Sequence, residues 1–177
     1  MTISELIKLI EQWAIDRGLD KSGTVEGQLI KTAEEVAELI IGISKDDIDV
    51  IKDSIGDVFV TLVVGNLIYN KQVQPYADDV PFGRLLQADG VLRAITISSK
   101  YQMIRNLSTS LNSLLIDENY YSSTSDLWMD LNGVCLMYDL SPIDCIESAY
   151  KEIADRKGKV INGTFWKSED LEKWEEE

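Results

Sequence analysis

The sequence predicts an all-α protein, and three observations support this fold class. The chain of 177 residues contains only 3 prolines and 11 glycines, and so few breakers favour long helices over many short strands. Apolar residues recur at helical spacing through most of the chain. Hydrophobic residues make up 45% of the composition, which is enough for a packed core. The length suits a single domain over residues 1–177.

Three helices are predicted in the N-terminal part of the chain. Thr2 caps the first, over residues 2–17, with Glu5 as its capping-box partner, and Gly18 ends it. The second covers residues 27–44, and after the short link 45–47 the third covers residues 47–70. The apolar stripe of the second is predicted at Ile30, Ala33, Ala37, Ile40 and Ile41. That of the third is predicted at Ile48, Ile51, Ile55, Val58, Leu62 and Gly65. Periodicity alone would also permit a buried strand in its β-branched later half, and helix is favoured because no breaker intervenes.

Additional helices are predicted over residues 83–140, after a proline-containing loop at 71–82. A long fourth helical region covers residues 83–116, with Gly90 as a candidate kink. A polar turn at 117–125 leads to a fifth helix at 125–139. Ser141 and Pro142 begin the sixth helix as its N-cap and first-turn proline, and this helix ends near Gly158. The tail beyond it is expected to be turn-like and then acidic.

Composition excludes several classes of function. The net charge is −14, from 31 acidic and 17 basic residues. A nucleic-acid-binding surface needs the opposite sign, so no nucleic-acid partner is expected. The absence of histidine removes Ser-His-Asp triads, HExxH zinc sites and ferritin-like di-iron sites. Any metal must therefore be held mainly by oxygen, which points to Mg²⁺ or Mn²⁺.

The cysteines and the hydropathy pattern bear on localisation. Cys135 and Cys145 are the two cysteines, and we expect them to be reduced, buried thiols in a cytoplasmic protein. The longest apolar run, at 58–68, has 11 residues and is too short to span a bilayer. The N-terminus lacks the basic and apolar blocks of a signal peptide. No membrane partner is therefore expected.

Two groups of acids on neighbouring predicted helices are the candidate chemical site. KTAEEVAELI (31–40) carries Glu35 and Glu38 three residues apart, on one face of the second helix. KDSIGDVFV places Asp53 and Asp57 four residues apart on the third helix. Gly56, beside Asp57, would allow close approach of another helix or a ligand. Antiparallel packing would bring the two pairs together as a site for a hard cation. Acids at this spacing also occur on ordinary solvated helix faces, so spacing alone leaves both interpretations open.

The same residues resemble the MazG-type family of all-α nucleoside triphosphate pyrophosphohydrolases. The family signature is EExxE followed by ExxD. EEVAE (34–38) matches its first half, and in DSIGD (53–57) Asp57 matches the aspartate while Ser54 stands in place of the glutamate. The tail over 149–171 is similar to that of phage-borne and small stand-alone MazG-like proteins. The resemblance covers residues 27–68 and 143–171.

The resemblance implies a fold, a metal site and a reaction. The fold would be the helical bundle of all-α NTP pyrophosphatases. The direct Mg²⁺ ligands would be Glu35, Glu38 and Asp57, with Mn²⁺ as a substitute ion. Asp53, or Ser54 through a water, would replace the missing family glutamate. Glu34 would be an outer-shell acid or the base that orients water.

The resemblance also implies the substrate and the assembly. The implied substrate-binding residues are Lys31, Arg156, Lys157, Lys159 and Asn162. The reaction would hydrolyse a nucleoside triphosphate between its α- and β-phosphates, giving a monophosphate and pyrophosphate. The enzyme would be a homo-oligomer, either a dimer or a tetramer.

Three alternatives stay open on the sequence alone. The first is a helical interaction or scaffold protein whose acidic faces are simply solvated. The second is a related enzyme for another substrate, such as dUTP, a damaged nucleotide or an alarmone. The third is a degenerate family member that binds nucleotide without turnover, which Ser54 makes plausible.

Overall fold

The computed structural model describes residues 1–72, 99–116 and 120–175, and most of these residues are helical. The predicted all-α fold class is thus confirmed. The helices are α1 (Ile3–Asp16), α2 (Leu19–Ser22), α3 (Val25–Lys45), α4 (Ile48–Gln72), α5 (Lys100–Ile116), α6 (Tyr120–Met137), α7 (Pro142–Ala154) and α8 (Ser168–Glu175). Between α7 and α8 lies an antiparallel hairpin of β1 (Gly158–Ile161) and β2 (Thr164–Lys167).

Most predicted elements agree with this structure, and three differ. The short helix α2 was not predicted, α6 begins at Tyr120 rather than near residue 125, and the tail forms a hairpin and α8 instead of turns. The third predicted helix is a helix throughout, so the strand alternative for it is wrong. The predicted loop from residue 73 onward, the fourth helical region up to residue 98 and Gly90 lie outside the described residues.

Side-chain caps begin three of the helices, and two of them, Thr2 and Ser141, were predicted. The Thr2 hydroxyl accepts from the Glu5 backbone N–H, and the Glu5 carboxylate accepts in return from Thr2, which completes the capping box of α1. Thr24 caps α3 by accepting from the N–H of Gly27. Ser141 caps α7, with Pro142 in its first turn. These caps satisfy N–H groups that have no partner within the helix.

The helices α3 and α4 form an antiparallel pair along their whole length. Three contacts set the register. A Cβ added to Gly42 would lie 3.0 Å from Cγ1 of Ile51. The Thr32 hydroxyl donates to the Thr61 hydroxyl at 3.0 Å. A Cβ added to Gly65 would lie 3.3 Å from Cγ of Gln28. Since α3 runs opposite to α4, this register brings the turn of Glu35 alongside the turn of Asp57.

The central helix is α4, which packs against α3, α7, α1, α2 and α6. Most of its residues from Ser54 to Ile68 are buried, so it is enclosed on nearly all sides. Gly56 lies at the contact with α7, where an added Cβ would come within 2.5 Å of the Cys145 carbonyl oxygen. The absence of a side chain at Gly56 therefore lets α7 approach the backbone of α4.

The buried face of α3 differs from the predicted one. Ile30 and Ile41 are 59% and 48% exposed, so the predicted apolar stripe of this helix is wrong. The residues that α3 buries are Gly27, Gln28, Thr32, Val36, Leu39, Gly42 and Ile43. Small and polar residues occupy this face because it packs closely against α4 and borders the cavity described below.

Two further predictions concern the cysteines and the membrane. Cys135 and Cys145 are both buried and both free of a disulfide, as predicted. No helix within the described ranges combines the length and the apolar character that crossing a membrane requires.

Candidate functional site

A cavity of about 340 Å³ lies beside the α3–α4 pair. Residues within and just after α7, in the hairpin and in α8 contribute to its wall, together with Trp13 of α1 and Leu19 of α2. Its volume is in the usual range for a site that binds a small molecule. The lining of this cavity combines charged groups of both signs with apolar side chains, and the charged groups are considered first.

All four carboxylates predicted as metal ligands line this one cavity. Glu35 and Glu38 reach it from α3, and Asp53 and Asp57 reach it from α4. Glu35 and Asp57 are half-buried, whereas Glu38 and Asp53 are exposed, so the first two lie deeper. Spacings of three and four residues keep each pair on one helix face. A fifth carboxylate, Glu152 of α7, also lines the cavity.

Negative charge is concentrated at the deep end of this group. Burial raises the pKa of Asp57 to about 7, and the charges of Glu35, Asp53 and Glu152 add to the effect. Burial also raises the pKa of Glu35, although Lys31 opposes it. Burial and the neighbouring negative charges both disfavour the ionised form of these carboxylates. A cation bound among these side chains would therefore be strongly stabilising.

The donor set fits an oxygen-seeking cation. The side chains that line the cavity include carboxylates and neither histidine nor cysteine. Mg²⁺ and Mn²⁺ prefer such oxygen ligands. Over residues 1–72, 99–116 and 120–175, no three acid or cysteine side chains stand close enough together to form a ready-made metal site. The carboxylates thus share a cavity without converging on one point. Glu38 and Asp53 are exposed and have the freedom to turn toward an ion.

The position of the missing family glutamate can be examined directly. Ser54 is 2% exposed and does not line the cavity, whereas Asp53 does. Burial raises the pKa of Asp53, with Glu152 adding to the shift and Arg156 and Lys167 opposing it. Asp53 is therefore the residue on this turn of α4 that offers a carboxylate to the cavity.

Three cationic side chains line the cavity with the acids. Lys31 lies 3.6 Å from Glu35 and also pairs with Glu34. Burial would lower the pKa of Lys31, but these two partners outweigh it and raise the pKa. Arg156 pairs with Glu152. The third cation is Lys167, which the sequence did not single out.

Not every predicted site residue reaches the cavity. Glu34 is 54% exposed in its side chain and touches the site only through Lys31. Lys157 lines an adjoining surface depression together with Arg156 and Lys167. Lys159 and Asn162 line neither space. Lys159 lies opposite Trp166 in the hairpin, and Asn162 occupies its tight turn with a φ of 50°.

The end of α7 is held in place by α1, which positions Glu152 and Arg156. The Trp13 indole N–H donates to the Ile153 carbonyl at 2.7 Å. Arg17 donates to the carbonyl oxygens of Ala154 and Arg156 at 3.0 Å and 2.7 Å. Its guanidinium lies 4.7 Å from the centre of the Trp13 ring. The two bonds from Arg17 occupy carbonyl oxygens at and beyond the helix end, whereas the Ile153 carbonyl also accepts from the backbone N–H of Arg156.

The sequence did not single out five polar or charged residues of the lining: Gln28, Thr61, Glu152, Lys167 and Asp170. Gln28 continues the face of α3 that carries Lys31, Glu35 and Glu38, since positions 28, 31, 35 and 38 follow helical spacing. That pattern could have revealed it. Lys167 lies in the hairpin and carried no recognisable signal, because the docking of the hairpin depends on distant contacts.

The fold and the cavity together define a class: an all-α protein with a carboxylate-rich cavity beside an antiparallel helix pair. The chain is similar to the "Uncharacterized 18.2 kDa protein in rep-hol intergenic region" of Haemophilus phage HP1 (strain HP1c1), with 53% identity over 62 residues. This match covers 35% of the chain and 38% of that phage protein. The chain therefore spans well under half the length of the relative. No protein-family model and no solved structure matches the chain.

Proposed function

We propose that this protein is a Mg²⁺-dependent nucleoside triphosphate pyrophosphohydrolase of the MazG type. The observation that carries the proposal is that Glu35, Glu38, Asp53 and Asp57 line one cavity from two antiparallel helices. The cations Lys31, Arg156 and Lys167 line the same cavity. A triphosphate needs both kinds of group, because acids hold the divalent ion while basic side chains contact phosphate oxygens directly.

The acidic and basic residues of the cavity would have different roles in hydrolysis. Glu35, Glu38, Asp53 and Asp57 would hold Mg²⁺, which when bound neutralises phosphate oxygens and lowers the pKa of the attacking water. Lys31, Arg156 and Lys167 would stabilise the charge that develops on the leaving group. Glu34 would hold Lys31 in position through their ion pair. These charged side chains would act by electrostatic stabilisation in a partly enclosed site.

The reaction balances without any further reactant. The oxygen of water bonds to the α-phosphorus, and the bond from that phosphorus to the α–β bridging oxygen breaks. The proton of the water passes to a carboxylate of the cavity, which takes the role that histidine has in other hydrolases. The products are a nucleoside monophosphate and pyrophosphate.

The test measures the products formed from a panel of nucleoside triphosphates in the presence of Mg²⁺. We expect a monophosphate and pyrophosphate in equal amounts, and no activity in EDTA. Glu38→Ala should lower kcat/KM at least 100-fold, because an acid that contacts the ion is lost. Glu26→Ala is the matched control, since Glu26 is exposed on the same helix and lies outside the cavity.

Other outcomes correspond to the alternatives. Nucleotide binding with no release of pyrophosphate, under any metal, would identify a degenerate nucleotide-binding protein. Neither binding nor turnover, with no effect of Mg²⁺ on melting, would favour the scaffold. Turnover confined to dUTP, a damaged nucleotide or an alarmone would place the protein among related enzymes with another substrate.

The proposed assembly is a homo-oligomer in the cytoplasm. Ile30 and Ile41 are 11 positions apart on α3, which is close to three helical turns, and about half of each side chain is exposed. Apolar side chains on one helix face fit a contact between subunits. Light scattering of the purified protein should give the mass of a dimer or a tetramer.

A further inference from the structure

The cavity has two chemically different ends, which the register of α3 and α4 defines. Glu35 and Asp57 lie at one end. Two turns away on each helix, Gln28 on α3 and Val64 on α4 line the same cavity. Seven residues of helix correspond to roughly 10 Å. The contact between Gln28 and Gly65 shows that these two turns face each other.

The end near Gln28 is apolar apart from Gln28, Thr61 and Lys31, and Lys31 is already paired with Glu34 and Glu35. Leu19, Val60 and Val64 line it, and each is less than 9% exposed. The Thr61 hydroxyl donates to the Val58 carbonyl and accepts from Thr32. Its hydrogen-bonding capacity is thus used within the protein. Gln28 is the polar group at this end whose hydrogen bonds have not yet been described.

Gln28 is a largely buried residue whose amide faces the cavity. The residue is 8% exposed, and its Cγ packs over Gly65, which has no side chain to displace it. Within the described part of the chain we find no hydrogen bond made by the Gln28 side chain. Gln28 also lines the cavity, so its amide is open to that space and not sealed in the core. A ligand in the cavity can therefore hydrogen-bond to this amide without displacing a partner within the protein.

We propose that Gln28 recognises the hydrogen-bonding edge of a nucleobase, so that the substrate is a nucleotide and not a base-free polyphosphate. The inference rests on the proposed function, because it assumes that the phosphates lie among the carboxylates. A carboxamide offers one acceptor and two donors, which matches the adjacent donor and acceptor on a base edge. The apolar side chains at this end contact the faces of the base. The separation between Gln28 and Glu35 along α3, roughly 10 Å, is similar to the distance from the α-phosphate of a nucleotide to the hydrogen-bonding edge of its base.

The experiment compares ligands that share phosphates and differ in the base. Isothermal titration with Mg²⁺ measures the affinity for the four α,β-imido deoxynucleoside triphosphates and for inorganic tripolyphosphate. We expect the unaltered protein to bind at least one imido nucleotide 10-fold or more tightly than tripolyphosphate. Gln28→Met should abolish that difference and leave tripolyphosphate affinity unchanged, because only contacts with the base are lost. Gln12→Met, on the exposed face of α1, is the matched control.

Thermal melting separates a ligand-binding role from a structural one. Gln28→Met replaces an amide that makes no hydrogen bond within the described part of the protein by an apolar side chain of similar length, so its Tm without ligand should equal or exceed that of the unaltered protein. Gln28→Glu keeps the shape but offers acceptors only, and should change the rank order of the four bases. A Tm lowered by several degrees, with tripolyphosphate affinity lost in parallel, would assign Gln28 a structural role and overturn the inference.

The possible failures are distinguishable. If imido nucleotides bind and Gln28→Met and Gln28→Glu leave every affinity unchanged, the inference is overturned while the proposed function stands. If nucleotides bind no more tightly than tripolyphosphate, recognition of a base is likewise excluded. If neither nucleotides nor tripolyphosphate bind in the presence of Mg²⁺, the proposed function is overturned together with the inference.

Discussion

Asp53 and Ser54 are neighbours on α4 with opposite surroundings. Asp53 is exposed at the cavity, and Ser54 is buried away from it. A helix turns by about 100° per residue, and at this turn of α4 the rotation directs Asp53 toward the cavity and Ser54 into the core. At this turn of α4 the cavity therefore receives the carboxylate of Asp53 and not the side chain of Ser54.

Substitutions at the two positions should have different effects. Asp53→Asn is expected to lower the rate of pyrophosphate release at least 10-fold and to reduce the rise in Tm on addition of Mg²⁺, because one ligand loses its charge. Ser54→Ala should leave both quantities within twofold of the unaltered protein. Steady-state kinetics and thermal melting check these outcomes. Loss of activity in Ser54→Ala with retention in Asp53→Asn would contradict this assignment.

Asp130 is a buried acid far along the chain from the proposed site. It lies on α6, is 6% exposed, and accepts a hydrogen bond from the Ser110 hydroxyl of α5 at 2.6 Å. Burial raises its pKa to about 6, the charge of Asp126 adds to the shift, and the Ser110 hydrogen bond opposes it. The unperturbed value is 3.8. Ionisation of Asp130 therefore disfavours the folded state.

The sign of this shift predicts how stability depends on pH. The folded-state pKa lies above the unfolded value, so the destabilisation is absent below pH 4 and is complete once the pH rises above about 6. Asp130→Asn should stabilise the protein at pH 8 by about 2–3 kcal/mol, and this gain should vanish toward pH 4. Urea unfolding across this pH range measures it. Asp126→Asn, at an exposed position, should give a much smaller gain; equal gains would contradict the prediction.

At the scale of elements, the contact between α4 and α7 sets the distance between the two sides of the site. A Cβ at Gly56 would lie 2.5 Å from the Cys145 carbonyl oxygen and 2.6 Å from the Ala149 Cβ. Gly56→Ala should therefore push α7 outward and destabilise the fold by about 1–3 kcal/mol. Activity should fall further than stability explains, because Glu152 moves away from Asp53. Unfolding and kinetics at a temperature where the variant stays folded test this.

The control for Gly56→Ala is Ser54→Ala, which lies on the same helix and adds no volume. It should change stability by less than about 1 kcal/mol, since only one hydroxyl is removed. A Gly56→Ala protein of unaltered stability would mean that α7 adjusts freely. The close approach would then have no part in placing Glu152.

The sequence predicted helices well where residues within the helix and at its caps determine the structure. Thr2 and Ser141 were recognised as caps because a cap acts within a few residues. The buried face of α3 was assigned wrongly because apolar counting favoured Ile30 and Ile41, whereas packing against α4 selected small residues. The hairpin was missed because its tip is held by a distant contact, in which the Thr24 N–H donates to the Gly163 carbonyl at 3.0 Å.

The candidate site was predictable to the extent that it follows helix geometry. The spacing of the acids predicted that they share faces, and the short link between α3 and α4 predicted that the faces meet. Glu152 and Lys167 enter from elements that lie about 100 residues further along the chain, and local spacing carries no information about such contacts. Gln28 could have been predicted from the sequence, because it continues the face of α3 that carries Lys31, Glu35 and Glu38.

At the scale of the whole molecule, the net charge of −14 makes any action on a triphosphate depend on cations. Bare triphosphate is repelled by a molecule of the same sign, and this repulsion weakens with added salt. Two effects of Mg²⁺ must therefore be separated. One is general screening of the surface charge, which any salt provides. The other is binding among the carboxylates of the cavity, which requires a divalent ion.

Thermal melting separates these two effects. We expect 5–10 mM Mg²⁺ (about a hundredfold excess over a dissociation constant near 0.1 mM) to stabilise the protein by roughly 2–3 kcal/mol, a shift of several degrees in Tm. NaCl of equal ionic strength should give a much smaller rise, since it only screens. Asp57→Asn should abolish the difference between the Tm shifts in the two salts. Asp49→Asn is the control and should retain that difference, because Asp49 is exposed on the same helix and lies outside the cavity. Equal shifts with both salts in all three proteins would mean that the acids form an ordinary solvated surface, and the molecule would then be better described as a helical scaffold.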